Sequence, residues 1–141
     1  MSDYLDCQSE GFIKDLERAK SWVNKEITVA EKFLKSAKIN IVANQYEVTV
    51  ITGYLVIFHI NRALVYNKGK ITKKHLCVIV AAKELYKENK DIIEFLSGAE
   101  NALISRNHIQ YDGYDADKEM AVFIVNLAED YLDFVKELLK L

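Results

Sequence analysis

No proline stands anywhere in the 141 residues, where average usage of about 5% would place roughly seven, and only five glycines punctuate the chain. Both residues break helices, so their scarcity points to long uninterrupted helices. Cysteine is nearly missing too. Cys7 and Cys77 are too few and too far apart for a metal motif or a disulfide framework, and both are read as free thiols. Cys77 lies in the apolar run Leu76, Val78, Ile79, Val80, where a small hydrophobe packs well. An excess of positive charge is also absent: the formal net charge is −2 and the pI about 5.9. That argues against a broad basic surface for duplex nucleic acid and leaves room for a local basic site. The start, with Ser2, Asp3, Tyr4 and Asp6, is the opposite of a positively charged signal peptide. No apolar run approaches 18 residues without polar interruption, so a membrane span is not expected and the protein is expected in the cytoplasm.

What is present is hydrophobic periodicity. Half of the residues are hydrophobic, enough for one domain over residues 1–141 with a real core. Phe12, Leu16, Ala19, Val23, Ile27, Ala30, Leu34, Ala37 and Ile41 recur at steps of three and four, which predicts a first helix from about Ser9 to Val42. Asn44 and Gln45 offer a turn and a cap, and a second helix runs from about Tyr46 to Tyr66. Thr72 is the expected N-cap of a third, fading at Asn89; a fourth spans about Asp91 to Tyr111; Asp115 is the expected cap of a fifth. The segment from Val48 to Ile51 suits a strand in isolation but continues into helical spacing, so no strand is expected. Short later connections make an all-α, up-and-down antiparallel bundle of four to five helices.

The second helix combines this apolar supply with charge. Thr52, His59 and Arg62, spaced by seven and three, fall on one face as a polar stripe among Ile51, Leu55, Phe58 and Leu64. An Arg in such surroundings is expensive to desolvate unless it is paired or faces a partner. Asp112 or Glu47 would serve as an acidic partner within the fold, and a dimer axis as an alternative; on the latter reading Tyr54, Phe58 and Arg62 are the core of a homodimer interface. A second cluster stands at the end of the fourth helix: Arg106, Asn107, His108, Gln110, Tyr111, Asp112 and Tyr114. Polar residues are ordinary at a helix end, and His near a C-terminus suits the macrodipole. His75, at the positive end of the third helix, is a weaker candidate. The three histidines are not at metal-ligand spacing with carboxylates, so no metal or other cofactor is expected.

Taken together these residues resemble the HEPN superfamily, in particular its small stand-alone prokaryotic members. The similar stretches are Gly53-Tyr54-Leu55-Val56-Ile57-Phe58-His59-Ile60-Asn61-Arg62-Ala63-Leu64, then Gly69 and Lys73-Lys74-His75, then Arg106, Asn107 and Tyr111. The resemblance covers about Glu31 to the C-terminus. It implies a HEPN-like helical bundle, usually a homodimer, often paired with a minimal nucleotidyltransferase as a toxin-antitoxin system. Catalytic members of the superfamily are metal-independent ribonucleases built on an Arg followed after four to six residues by His. Here position 111, after four intervening residues, is Tyr, and His108 comes only two after the Arg, about 200° away on a helix.

Cleavage through a 2′-hydroxyl needs a base near neutral pKa and a cation on the phosphate, which His and Arg supply. A Tyr, with a reference pKa near 10, is a poor substitute. An imidazole from His59 beside Arg106 is the alternative. By resemblance Tyr111 or Tyr114 is an acceptor of nucleotide groups from the partner enzyme, against ordinary aromatic packing at a helix end. Three readings follow. The first is a dimeric nucleotide- or RNA-binding partner of a nucleotidyltransferase, with Arg62, Asn107 and Tyr54 as binding residues. The second is an active ribonuclease using Arg106 with Tyr111 or His59. The third is a non-catalytic scaffold or dimerisation module.

Overall fold

The computed structural model describes residues 3–141, so the acidic start read from Ser2 begins outside the described residues. The apolar periodicity becomes helix over most of the chain: α1 (Tyr4–Ser9), α2 (Val23–Val42), α3 (Tyr46–Asn67), α4 (His75–Leu85), α5 (Lys90–Asp112) and α6 (Lys118–Leu138). These form an all-α bundle around α3, which packs against α2, α4, α5 and α6. Its residues Val50, Tyr54, Ile57, Ile60, Leu64 and Val65 are buried, and so is Asn61, whose Oδ1 accepts the Tyr131 hydroxyl of α6 at 2.5 Å. That bond satisfies two polar groups that would otherwise be stranded in the core.

By length and composition α3 is apolar enough to cross a membrane, although Thr49, Thr52, His59, Asn61 and Arg62 interrupt its apolar residues. Within its apolar 18-residue window 67% is buried, the environment of a core helix, and its apolar sides are spent on α2, α4, α5 and α6.

The first helix is shorter than its periodicity predicts. After α1 the chain turns at Gly11, whose φ of +78° is unstrained only without a Cβ. It then runs as a two-residue strand β1 (Lys14–Asp15) and a 3-10 segment (Glu17–Trp22) into α2. β1 pairs antiparallel with β2 (Lys70–Ile71), Lys14 opposite Ile71, so a minimal ladder replaces the expected absence of strands. Spacing alone did not show the break, because Ala19 and Val23 face the core in either conformation; Phe12, expected in the helical stripe, is 38% exposed, and Ile13 is buried in its place.

This folded-back segment also corrects the reading of the cysteines. Cys7 and Cys77 form a disulfide with their Cα atoms 5.9 Å apart, tying α1 to α4 across 70 residues of sequence.

Helix ends differ in detail. α4 starts at His75 with Lys74 in the cap position and no side-chain cap; the expected cap, Thr72, is buried with its hydroxyl unpartnered. α4 stops at Leu85, and Asn89 instead caps α5, its Oδ1 accepting the Ile92 N–H at 3.1 Å. α5 ends at Gly113 in the left-handed conformation, and Asp117 rather than Asp115 caps α6.

Candidate functional site

Two polar clusters flank Phe58 of α3. In the first, Glu26 points from α2 at His59 and Arg62, and only 5% of it is exposed. Its Oε2 lies 2.9 Å from His59 Nδ1, which therefore carries a proton, and its Oε1 accepts from Arg62 Nε at 2.8 Å. Arg62 also donates to the Tyr66 hydroxyl, 3.1 Å from Nε. The half-buried Arg62 is thus paired, as its partial desolvation requires, though by Glu26 instead of Asp112 or Glu47. Asp112 holds His108 at 3.1 Å, and Glu47 accepts the Ala116 N–H. Thr52 drops out of the stripe because its hydroxyl donates to the Val48 carbonyl at 2.8 Å. The His59 ring stacks on Phe33, and a cavity of about 440 Å³ opens beside it, lined also by Trp22, Lys25 and Lys73.

The second cluster is centred on Arg106 of α5, 7% exposed. Its Nη1 donates to Gln110 Oε1 at 3.2 Å and to the Tyr111 hydroxyl at 3.1 Å, and its Nη2 lies 3.3 Å from His75 Nδ1. The Tyr54 hydroxyl reaches the same nitrogen at 2.6 Å. Two donors on Nδ1 place the ring proton on Nε2, so His75 is a neutral imidazole. Burial, then the nearby charges of Arg106, Arg62 and His59, push its pKa below the usual 6.5. Burial raises the Tyr54 phenol, opposed by Arg106, whose guanidinium carbon sits 4.7 Å from that ring centre. Phe58 stacks on His75 at 4.2 Å and meets His59 edge-on at 5.3 Å, so the two clusters share one aromatic wall.

The charge balance of the clusters differs. Glu26 neutralises the first. Among the described residues no carboxylate forms an ion pair with Arg106, and its Nε has no partner at all. A buried guanidinium surrounded by neutral groups is the arrangement that recruits an anion.

Of the residues singled out from sequence, Arg106, Tyr111 and Tyr54 converge, while His59 and Arg62 meet on Glu26. The imidazole at Arg106 is therefore His75, not His59. Asn107 is exposed on α5 and has no hydrogen-bonded side-chain partner among the described residues. Tyr111 and Tyr114 are both largely exposed, Tyr114 stacking on His108 at 4.7 Å. Tyr54 and Phe58 are buried within the protomer, so they do not form the core of a dimer interface as expected.

One residue of the site was missed, and one was ranked too low. Glu26 shares the apolar face of α2 with Val23, Ile27 and Ala30, and an acid at such a position signals a buried cation. His75 was discounted because it begins a helix, although its place after Gly69 and Lys73 was visible.

A cavity of about 620 Å³ between α2 and α6 is lined by Leu34, Ile39, Val42, Leu132 and charged neighbours and by no member of either cluster. No curated protein matches the chain. The HEPN domain family matches it over residues 13–138, nearly the whole length, and family membership carries a nucleotide- or RNA-related function in general terms. The protein belongs to the HEPN family.

Proposed function

We propose that the protein binds a phosphate of a nucleotide or RNA at Arg106, as a homodimer working with a minimal nucleotidyltransferase in a toxin-antitoxin-type pair. The observation that supports this reading is the buried Arg106 guanidinium, which lacks a carboxylate and keeps Nε unpartnered. A phosphate supplies the missing charge and accepts the free N–H. The Tyr54 ring and His75 Nδ1 hold the guanidinium, and the exposed Tyr111 hydroxyl accepts from its Nη1. Tyr111 and Tyr114 are the hydroxyls a nucleotidyltransferase would reach. Ile104 and Phe123, about half exposed on α5 and α6, offer apolar surface to a second copy.

The test is binding of a fluorescent single-stranded RNA and of nucleotides to the wild type and to Arg106→Gln. Loss of a charge-assisted bond worth about 1.5–3 kcal/mol weakens binding by roughly tenfold to a hundredfold. Equal affinities overturn the reading. Sedimentation of the purified protein as a monomer removes the dimer.

One observation favours a second reading, a metal-independent endoribonuclease: an uncharged imidazole lies in contact with Arg106 despite Tyr at position 111. His75 would take the proton of a 2′-hydroxyl on Nδ1, its only lone pair, once the substrate displaces the Tyr54 hydroxyl and Arg106 turns from that nitrogen to the phosphate; the 2′-oxygen attacks phosphorus, Arg106 stabilises the developing negative charge, and the 5′-oxygen departs with a proton from water. Cleavage in EDTA that is lost in His75→Ala and Arg106→Ala, at equal thermal stability, supports it. Absence of cleavage by the wild type excludes it. A Tyr111→Phe rate reports whether that hydroxyl takes part.

A further inference from the structure

Outside both clusters, a cavity of about 220 Å³ lies between the loop at residues 11–14 and the segment at residues 71–74. Three of the side chains lining it are Lys14, Lys73 and Lys74, and none is a carboxylate, in a chain whose net charge is negative. None of these lysines has an ion-pair partner among the described residues, whereas Lys70 and Lys20 nearby are paired with Asp15 and Glu17. Thr72 also lines the cavity. It is 96% buried, from a relative exposure of 4%, and its hydroxyl is, among the described residues, one of two buried side-chain polar atoms without a hydrogen-bond partner. After Lys73 and Lys74 α4 begins, eleven residues long and with no side-chain cap, so the positive end of its dipole lies beside the cavity without a side-chain partner.

We propose that this cavity is a phosphoryl-binding subsite, in which Lys14, Lys73 and Lys74 supply charge and Thr72 donates its hydroxyl. Each unusual feature is accounted for by one ligand chemistry. The unpartnered hydroxyl, the uncapped helix and the unpaired cations all lack the same thing, a multiply charged oxyanion. The walls are held in place for it. The β1–β2 ladder and the Cys7–Cys77 disulfide bind the loop to the start of α4, and Lys74 rests 4.5 Å over the Phe12 ring. Lys73 lines the cavity beside His59 and Arg62 as well, so the two cavities meet at one side chain. A phosphoryl group belonging to a nucleotide or an RNA backbone, with the rest of the molecule continuing past Lys73, fits that continuity.

The subsite is separate from Arg106, and its test keeps the two apart. The backbone amide spectrum of the ¹⁵N-labelled protein is titrated with inorganic phosphate, with adenosine monophosphate and with a short single-stranded RNA, against sodium chloride at matched ionic strength. The expected result is saturable movement of the amide signals of residues 72–74 by phosphate and not by chloride. Lys73→Gln/Lys74→Gln weakens it by tenfold or more, and Arg106→Gln leaves it unchanged. Thr72→Val is the most diagnostic variant. A structural hydroxyl would be missed by the fold, but this one has no partner, so the variant should melt no lower than wild type while losing phosphate affinity. Tighter binding of the nucleotide or RNA than of inorganic phosphate, lost in the lysine variant, attributes the subsite to a nucleic-acid phosphate; equal binding of all three attributes it to a free phosphate. Movement matched by chloride, or affinity unaffected by the lysine variant, overturns the proposal.

Discussion

Replacing Arg106 with methionine should remove nucleotide and RNA phosphate affinity at that site and yet leave the unliganded protein about as stable as before. Methionine fills much of the volume of the arginine stem without its charge. The variant gives up the contact with His75 Nδ1, a hydrogen bond from a charged donor worth about 1.5–3 kcal/mol, and the stacking on Tyr54, a desolvated cation–π contact worth about 2 kcal/mol. The bonds to Gln110 and Tyr111 join exposed side chains on the same helix and contribute only about 0.2–0.5 kcal/mol each. Against these losses, of about 4–6 kcal/mol together, stand the desolvation of a buried ion, several kcal/mol, and the unpartnered Nε, about 1–3 kcal/mol. The terms nearly cancel, so urea denaturation followed by circular dichroism should place the variant within about 1 kcal/mol of wild type. A loss of more than about 3 kcal/mol, the size expected when a compensated buried charge is broken, would refute the reasoning and make Arg106 a structural residue.

Glu26→Ala should behave oppositely, costing about 2–3 kcal/mol, below the 3–5 kcal/mol of a fully buried pair because the Arg62 side chain keeps 28% exposure; a Glu26→Leu/Arg62→Met double variant recovering most of this in the same denaturation assay checks that the cost is the stranded charge. His75 makes stability depend on pH. Its folded pKa lies below 6.5, so the unfolded chain binds the proton first, and its contribution is complete above about 6.5 and is lost as pH falls toward the folded value; denaturation between pH 7.5 and 5 should show a steeper loss in wild type than in His75→Gln. Thiol titration of protein purified without reductant should find no free thiols, and Cys7→Ser should lose up to about 4 kcal/mol, the chain-entropy figure for closing a loop of this separation. Gly53→Ala places a Cβ 3.0 Å from Ile124 Cγ2 where α3 meets α6, and calorimetry should show a cost of about 1–2 kcal/mol despite alanine's helix preference.

Much of this bundle is legible from local spacing. The helices α2, α3, α5 and α6 lie close to the stretches where apolar residues recur every three or four positions, and α3 is central because nearly every one of its faces is apolar. That Arg62 needed a counter-charge was equally readable, since the cost of a lone buried cation does not depend on which acid relieves it. Family resemblance was visible in the order of His59, Arg62, His75 and Arg106 along the chain.

Pairings between distant residues were not legible in the same way. Glu26 meets His59 across 33 positions, His75 meets Arg106 across 31, and Cys7 meets Cys77 across 70. A 3.6-residue period says which side of a helix is buried but not against which neighbour, or at what height along it. Those heights follow from how whole helices dock, and here the docking leaves the half-buried Arg62 neutralised and the buried Arg106 without a counter-charge.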